Sequence, residues 1–292
     1  MTDVIRLGDV TVQRIVEQET AFLPALEVLP ALTPALLAEN RHWLEPAALD
    51  QNGNLVLCFQ SYILRTPHHV ILIDSCIGNH KSRPNRPKWH MKTDDAYMAA
   101  LAAAGLRVED IDFVMCTHLH ADHVGWNTRL DNGRWVPTFP NARYVFAAEE
   151  YAHWTRVNAK APVAPFNDSV LPVVEANRAD LVRSDHQIGD LVHLLPTPGH
   201  TPGHVAIAFG RDGTDGVFSG DLIHTPLQTR YPELSVVFDV DPAQAAATRR
   251  GFLERCCDTR TLFCPAHFPS PSWGRIKRWD TGFRCEPTAS GS

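Results

Sequence analysis

The chain has no cysteine pair spaced as CxxC, no internal repeat and no low-complexity block. It also lacks any apolar run near the ~20 residues of a membrane-spanning helix, and no basic segment leading into an apolar stretch follows Met1. Each absence removes a class of protein. Without CxxC pairs, the seven cysteines (58, 76, 116, 256, 257, 264, 285) do not read as a zinc ribbon or a disulfide framework. They read as buried thiols of a reducing compartment. Lacking a secretory leader and a membrane span, the protein is expected in the cytoplasm with no membrane partner. Positive charge is not in excess either. The formal net charge is −6, which argues against a nucleic-acid backbone as partner. A small-molecule substrate is the expected partner, and a homodimer stays open.

What remains is an ordinary globular balance, 44% hydrophobic and 21% charged over 292 residues. That is enough for a large core in one domain, expected over 1–285 with a disordered tail at 286–292. Val4 to Val16 reads as a hairpin around Gly8-Asp9. Residues 19–47 carry Phe22, Leu23, Leu26, Leu29, Leu32, Leu36 and Leu37, interrupted by Pro24, Pro30 and Pro34. The prolines forbid one long helix, so the segment is either an apolar flap or a surface loop packed on the core. Strands are expected at 54–64, 69–74, 112–117, 192–197, 204–209, 216–220 and 261–265. Helices are expected over Ala96–Ala104, capped by Thr93 or Asp94 and ended at Gly105, over Ala147–Trp154, and over Pro242–Cys256. This alternation predicts an α/β protein with mixed sheets.

The densest chemistry is Thr117-His118-Leu119-His120-Ala121-Asp122-His123, directly after the apolar run Phe113–Cys116. Three imidazoles and a carboxylate at a strand end make a divalent-metal site the natural reading, because neutral imidazole is the commonest protein metal ligand. Three later positions share the setting. His200 lies in Pro198-Gly199-His200-Thr201-Pro202-Gly203-His204, Asp221 ends Phe218-Ser219-Gly220-Asp221, and His267 ends Cys264-Pro265-Ala266-His267. Ligands at strand ends converge on one rim while the strands hold them rigidly.

The set HxHxDH at 118–123, His200 in TPGHTPGH, Asp221 in SGD and His267 in PAH, with Asp74 in LIDSCIG, resembles the metallo-β-lactamase superfamily over about residues 54–268. The resemblance implies a four-layer αβ/βα sandwich of two mixed β-sheets flanked by helices. It implies that His118, His120 and His200 hold one metal ion, that Asp122, His123 and His267 hold a second, and that Asp221 bridges them. Asp74 would orient a ligand imidazole without touching metal. The expected cofactor is two divalent ions. Zinc suits five imidazoles and two carboxylates best, and manganese, cobalt and iron are compatible with the same donors. A dication lowers the pKa of water from 15.7 toward about 7, so the implied reaction is hydrolysis by a metal-bridging hydroxide, with Asp122 or Asp221 carrying a proton to the leaving group.

Motif spacing and the run Gly220-Asp221-Leu222-Ile223-His224 look most like the branch of methyl parathion hydrolase and related lactonases. The expected substrate therefore has an ester-type bond: a lactone, a carboxylic ester or an organophosphate triester. Homoserine-lactone lactonases commonly carry tyrosine three positions after the bridging aspartate. Here His224 stands in that place, as a candidate hydrogen-bond donor to substrate or as a structural loop residue. An iron-dependent sulfur dioxygenase-like activity is the alternative from another class, although such members typically carry glutamate where this chain has His120. A glyoxalase II-like thioesterase is a further alternative. Phe22, Leu23, Trp89, Trp126 and Trp154 are candidates for an apolar substrate wall, although each such residue more often serves plain core packing.

Overall fold

The computed structural model describes residues 4–288. In chain order the strands are β1 (Val4–Leu7), β2 (Val10–Pro24), β3 (Asn54–Arg65), β4 (Val70–Ile73), β5 (Phe113–Met115), β6 (Thr128–Asp131), β7 (Arg134–Pro137), β8 (Arg143–Ala147) and β9 (Ala179–Val182). There follow β10 (Gln187–Ile188), β11 (Val192–Pro196), β12 (Val205–Phe209), β13 (Gly216–Gly220), β14 (Leu262–Pro265), β15 (Gly274–Trp279) and β16 (Gly282–Pro287). The helices are α1 (Ala25–Val28), α2 (Pro34–Leu44), α3 (Ala96–Ala103), α4 (Ala148–Lys160), α5 (Leu171–Glu175), α6 (Leu227–Arg230) and α7 (Pro242–Cys256). One seven-stranded sheet has the order β1-β2-β3-β4-β5-β8-β9 and another β10-β11-β12-β13-β14-β15-β16, with β6-β7 a separate hairpin. These are the two mixed sheets with helices of the expected α/β class. None of the described helices is long and apolar enough to cross a membrane.

The chain divides into two compact units, residues 4–18 with 59–186, and residues 19–58 with 187–288. In the first unit β4, β5, β8 and β9 run parallel, with Ile73 opposite Met115 and Met115 opposite Val145. A central parallel strand is covered on both faces, which is why Val-Ile-Leu-Ile and Phe-Val-Met are unbroken apolar runs. Behind them Leu72, Tyr97, Leu101, Val114, Tyr144 and Phe166 belong to one buried cluster. In the second unit β12 is antiparallel to both β11 and β13, and β13 is parallel to β14. Strands β11, β13 and β14 therefore point the same way. Their carboxyl ends emerge on one sheet edge, the edge where open α/β sheets build sites. Ile223, Phe252, Leu253, Phe263 and Ile276 lie in the core that joins α7 to this sheet.

Several local expectations hold and others need correcting. Gly105 closes α3 with φ +74°, but the capping position at its start is Asp95, without a side-chain cap bond, and Asp94 only accepts the Ala96 N–H at 3.1 Å. Thr33 caps α2 through the Leu36 N–H at 3.1 Å, with Pro34 in the first turn. The 19–47 segment is the end of β2 followed by two helices, which agrees with the exclusion of one long helix. The opening hairpin continues well past Val16, since β2 extends to Pro24. Glu286 and Pro287, expected in a disordered tail, are paired in β16 with Arg275 and Gly274. The remainder of that tail, 289–292, lies outside the described residues.

The first unit also buries an ionic cluster. Lys81 Nζ donates to Thr128 Oγ1 at 2.6 Å and to the Asp168 carbonyl at 3.0 Å, and lies 3.6 Å from the centre of the Trp135 ring. Arg83 grips Asp168 with two bonds of 2.7 and 2.9 Å. Burial, opposed by Asp168 and reinforced by Arg83, pushes the Lys81 ammonium down to about 7. Asp168→Ala would strand two cations, so a loss of roughly 3 kcal/mol is expected in urea unfolding. The unfolded lysine holds its proton toward 10.5 while the folded one sheds it near 7. Over that interval the unfolded state binds more protons, and the contribution of this site to stability rises with pH. Lys81→Met should flatten that rise, and an unchanged pH slope in the variant would refute this account.

Candidate metal-binding site

Seven side chains form two groups able to hold a metal ion among the described residues: His118, His120, Asp122, His123, His200, Asp221 and His267. Four belong to the first unit and three to the second. Each set is built on the strand ends described above.

In the first unit the organising group is Asp74, just past β4 with φ +55°, a left-handed conformation that aspartate tolerates better than most residues. Its carboxylate accepts from the Thr117 N–H at 2.8 Å, from the Thr117 hydroxyl at 2.9 Å, and from His123 Nδ1 at 2.9 Å. Because the Thr117 hydroxyl gives its proton to Asp74, its oxygen is the acceptor for His118 Nδ1 at 3.1 Å. Protons on Nδ1 of His118 and His123 leave Nε2 as the nitrogen of each ring able to hold a metal ion. His118 Nε2 lies 3.0 Å from His120 Nδ1, and the His118 and His123 ring centres are 4.1 Å apart. Asp122, half-buried, sits 4.0 Å from His123 Nε2. The turn closes through the His123 N–H to the His120 carbonyl at 3.1 Å. Gly125 lets it pack tightly, since a Cβ there would meet the Ile77 carbonyl oxygen at 1.9 Å.

Sequence reasoning missed two acids of this unit. Glu150 Oε1 accepts the Leu119 N–H at 3.1 Å and the Trp154 indole N–H at 2.7 Å, and the Trp154 ring lies 5.4 Å from that of His120. Glu17 accepts the Ile77 N–H at 2.7 Å and the Trp126 indole N–H at 2.8 Å, and pairs with Lys92 at 2.8 Å. Among the candidate wall residues, Trp126 is buried and stacked on Tyr97, and Trp89 is buried edge-on to Phe59. Both serve core packing. No signal in a single sequence marks a buried glutamate of this kind.

In the second unit Asp221 follows β13 and stands among three imidazoles. His267 Nε2 is 2.9 Å from Oδ1, while His200 Nε2 and His224 Nε2 are 3.2 and 3.1 Å from Oδ2. The His200 and His267 rings are again fixed from behind. His267 Nδ1 donates to the Cys58 carbonyl at 3.0 Å, and His200 Nδ1 donates to Asp239 Oδ1 at 2.8 Å. Burial pulls His200 down, but its bonds to Asp221 and Asp239 outweigh that and raise it to about 9. His224 goes the other way, lowered by burial ahead of the opposing pull of Asp221. Its ring stacks at 15° on His267.

His204, the second histidine of TPGHTPGH, is no candidate ligand. Its Nε2 accepts the Asp221 N–H at 3.0 Å, so Nδ1 carries the proton and meets Thr197 Oγ1 at 2.8 Å. It sets the backbone that presents Asp221. Gly199, with φ +135°, is required because a Cβ would meet the Ala245 nitrogen of α7 at 2.3 Å. Phe22 lies in this unit, edge-on to Phe238 at 6.3 Å, and Leu23 follows it in β2.

The donor chemistry fits divalent cations. Four rings carry their proton on the outward nitrogen, the donors are imidazole and carboxylate, and the Cys116 thiol near His123 is kept protonated by burial. Such outer bonds both orient a ligand and strengthen it.

Comparison with known proteins agrees. The Metallo-beta-lactamase superfamily profile matches residues 60–267. The Bacillus subtilis (strain 168) protein YobT is 26% identical over 163 residues, 55% of this chain and 60% of YobT. An N-acyl homoserine lactonase of Bacillus cereus is 27% identical over 170 residues, 53% of this chain and 60% of the lactonase. The chain thus spans about 60% of the length of these curated relatives. Among solved structures, the hydrolase AbOPH of the beta lactamase superfamily superposes with a TM-score of 0.83 at 21% identity, covering 100% of this chain and 99% of its own. AidC, described as a dizinc quorum-quenching lactonase, gives 0.79 at 20% identity, covering 99% and 97%. At these identities the structural likeness is one of fold. The profile match, over more than half the chain and across both ligand sets, is decisive: this chain belongs to the metallo-beta-lactamase superfamily.

Proposed function

We propose that this chain is a metal-dependent hydrolase of ester-type bonds, and that lactones are the substrate class it fits best. The observation that carries the reading is the locking of the ligand imidazoles by Nδ1, to Thr117, Asp74, Asp239 and the Cys58 carbonyl, with Nε2 left as the coordinating atom. On this reading His118, His120 and His200 hold one ion, Asp122, His123 and His267 the other, and Asp221 serves both. Zinc is the proposed metal, since neutral imidazole and carboxylate without thiolate suit it in a catalytic site. Histidine at position 120 also supports hydrolysis over iron–oxygen chemistry. Bound dications would supply an activated water at neutral pH and polarise the scissile carbonyl.

The side chains then divide the remaining work. Hydrolysis adds the water oxygen to the acyl carbon and its proton to the alkoxide that leaves. Asp122, half-buried, would take that proton and return it. Asp221, crowded by three imidazoles, is committed as a ligand. His224, with Nε2 3.1 Å from Asp221 Oδ2, would steady that carboxylate. The lactone assignment is supported by the relatives described as N-acyl homoserine lactonases and by AidC, whose structure holds an N-acyl homoserine product. The same chemistry extends to other carboxylic esters and to phosphotriesters. A small-molecule substrate and a cytoplasmic setting belong to this proposal.

His118→Ala and Asp221→Ala should each lose bound metal, measured by elemental analysis, together with roughly a thousandfold in kcat/KM. Normal activity with full metal in either variant would sink the assignment. His224→Phe should retain both ions yet lower kcat by roughly tenfold to a hundredfold. A panel of acyl lactones, aryl esters, phosphotriesters and a glutathione thioester on zinc-loaded protein reads the substrate class. Lactone cleavage should lead, and thioester cleavage far ahead of it would overturn the lactone assignment.

A further inference from the structure

The second unit buries an acid that the ligand set does not use. Asp239 follows no strand and sits two residues before the cap of α7, where Asp241 accepts the Gln244 N–H at 3.0 Å. Both its oxygens are engaged. Oδ1 takes His200 Nδ1 at 2.8 Å, and Oδ2 takes the Val236 N–H at 3.1 Å and Arg249 Nη2 at 3.5 Å. The backbone beside it is strapped to the same loop, with the Val240 N–H on the His200 carbonyl at 3.0 Å and the Asp241 N–H on the Gly199 carbonyl at 2.9 Å.

Arg249, itself buried in α7, supplies the countercharge. Its Nε donates to the Leu222 carbonyl at 2.7 Å, and Nη1 donates to the carbonyls of Pro232 and Leu234 at 2.7 and 2.8 Å. One guanidinium thus ties the residue after Asp221 to the acid behind His200. A buried carboxylate with this many partners cannot swing away, and its cost of burial is offset by the arginine.

We infer that Asp239, backed by Arg249, is a positioning residue that holds the His200 ring with Nε2 turned toward a metal ion and raises its strength as a ligand. The inference rests on the proposed reading of His200 as a metal ligand. It predicts an uneven loss, because Asp239 touches one ligand of one ion only.

The test uses the full chain with Asp239→Asn and Asp239→Ala, checked for folding by circular dichroism and thermal unfolding after chelation. Zinc content, chelator competition and the visible spectrum of the cobalt-loaded protein are then read. Wild type should bind two equivalents. In Asp239→Ala one ion should bind 10–100-fold more weakly and the cobalt bands should shift, while the other ion is retained. Asp239→Asn should fall between, because its amide oxygen still accepts the Nδ1 proton without the charge. Equal weakening of both ions would mark a general structural role and overturn the inference. So would two wild-type affinities with an unchanged cobalt spectrum in the folded asparagine variant, which decides the matter if the alanine variant does not fold. Should wild type bind no zinc, the metal reading itself fails, and this inference falls with it.

Discussion

A hydrogen bond from the far nitrogen of an imidazole to a fixed acceptor underlies this site. An unanchored histidine presents either nitrogen in several rotamers, and a metal ion must then select one at an entropic cost. Here His118, His123, His200 and His267 are each held from behind, and the acceptors are themselves held. The two that run to carboxylates, from His123 to Asp74 and from His200 to Asp239, are charge-assisted and contribute about 1.5–3 kcal/mol each. They need acceptors that neither move nor solvate. The close approach at Gly125, the crowding at Gly199 and the buried Arg249 make sense as supports for those acceptors.

Strand direction explains why so few residues suffice. Parallel β4 and β5 deliver Asp74 and the 117–123 loop from the same edge of one sheet. Co-directional β11, β13 and β14 deliver His200, Asp221 and His267 from the same edge of the other. Within each unit the ligands meet because the sheet has aimed them, so the connecting loops are free to differ. His204 and Glu150 show a second use of polar groups on those loops, holding backbone N–H groups that would otherwise be buried unpaired.

These features were unequally legible in the sequence. Every ligand candidate stands at the end of an apolar run or in a Gly/Pro-punctuated turn, and those signals are local. So are Asp94 and Pro242, which mark helix starts through backbone chemistry. The strand β8 was missed although Tyr144, Val145 and Phe146 are apolar, because the run is short and abuts α4 without a turn signal. Strands β15 and β16 alternate charged and apolar residues around Asp280-Thr281-Gly282, a hairpin pattern masked by the basic run at 275–278. The supporting acids were illegible for a different reason. Glu17, Glu150 and Asp239 look like surface charges until distant backbone closes over them. The same holds for Lys81, a lysine in a polar stretch of sequence that is in fact fully buried against Trp135.

The two carboxylates behind the rings also bear on how a pair of ions would share the site. On the proposed assignment each ion receives one imidazole backed by an acid, His200 by Asp239 and His123 by Asp74. The other anchored rings lean on neutral oxygens, the Cys58 carbonyl and the Thr117 hydroxyl. A carboxylate-backed imidazole is the stronger base and the stronger donor. Its strength shows against the proton as well, since His200 stands near 9 with Asp221 and Asp239 beside it. An entering dication competes with that proton for Nε2 and must release it. On that assignment one such ring per ion would even the two affinities, where both on one ion would leave the second weakly held. An even pair is what a reaction needing both ions at once requires.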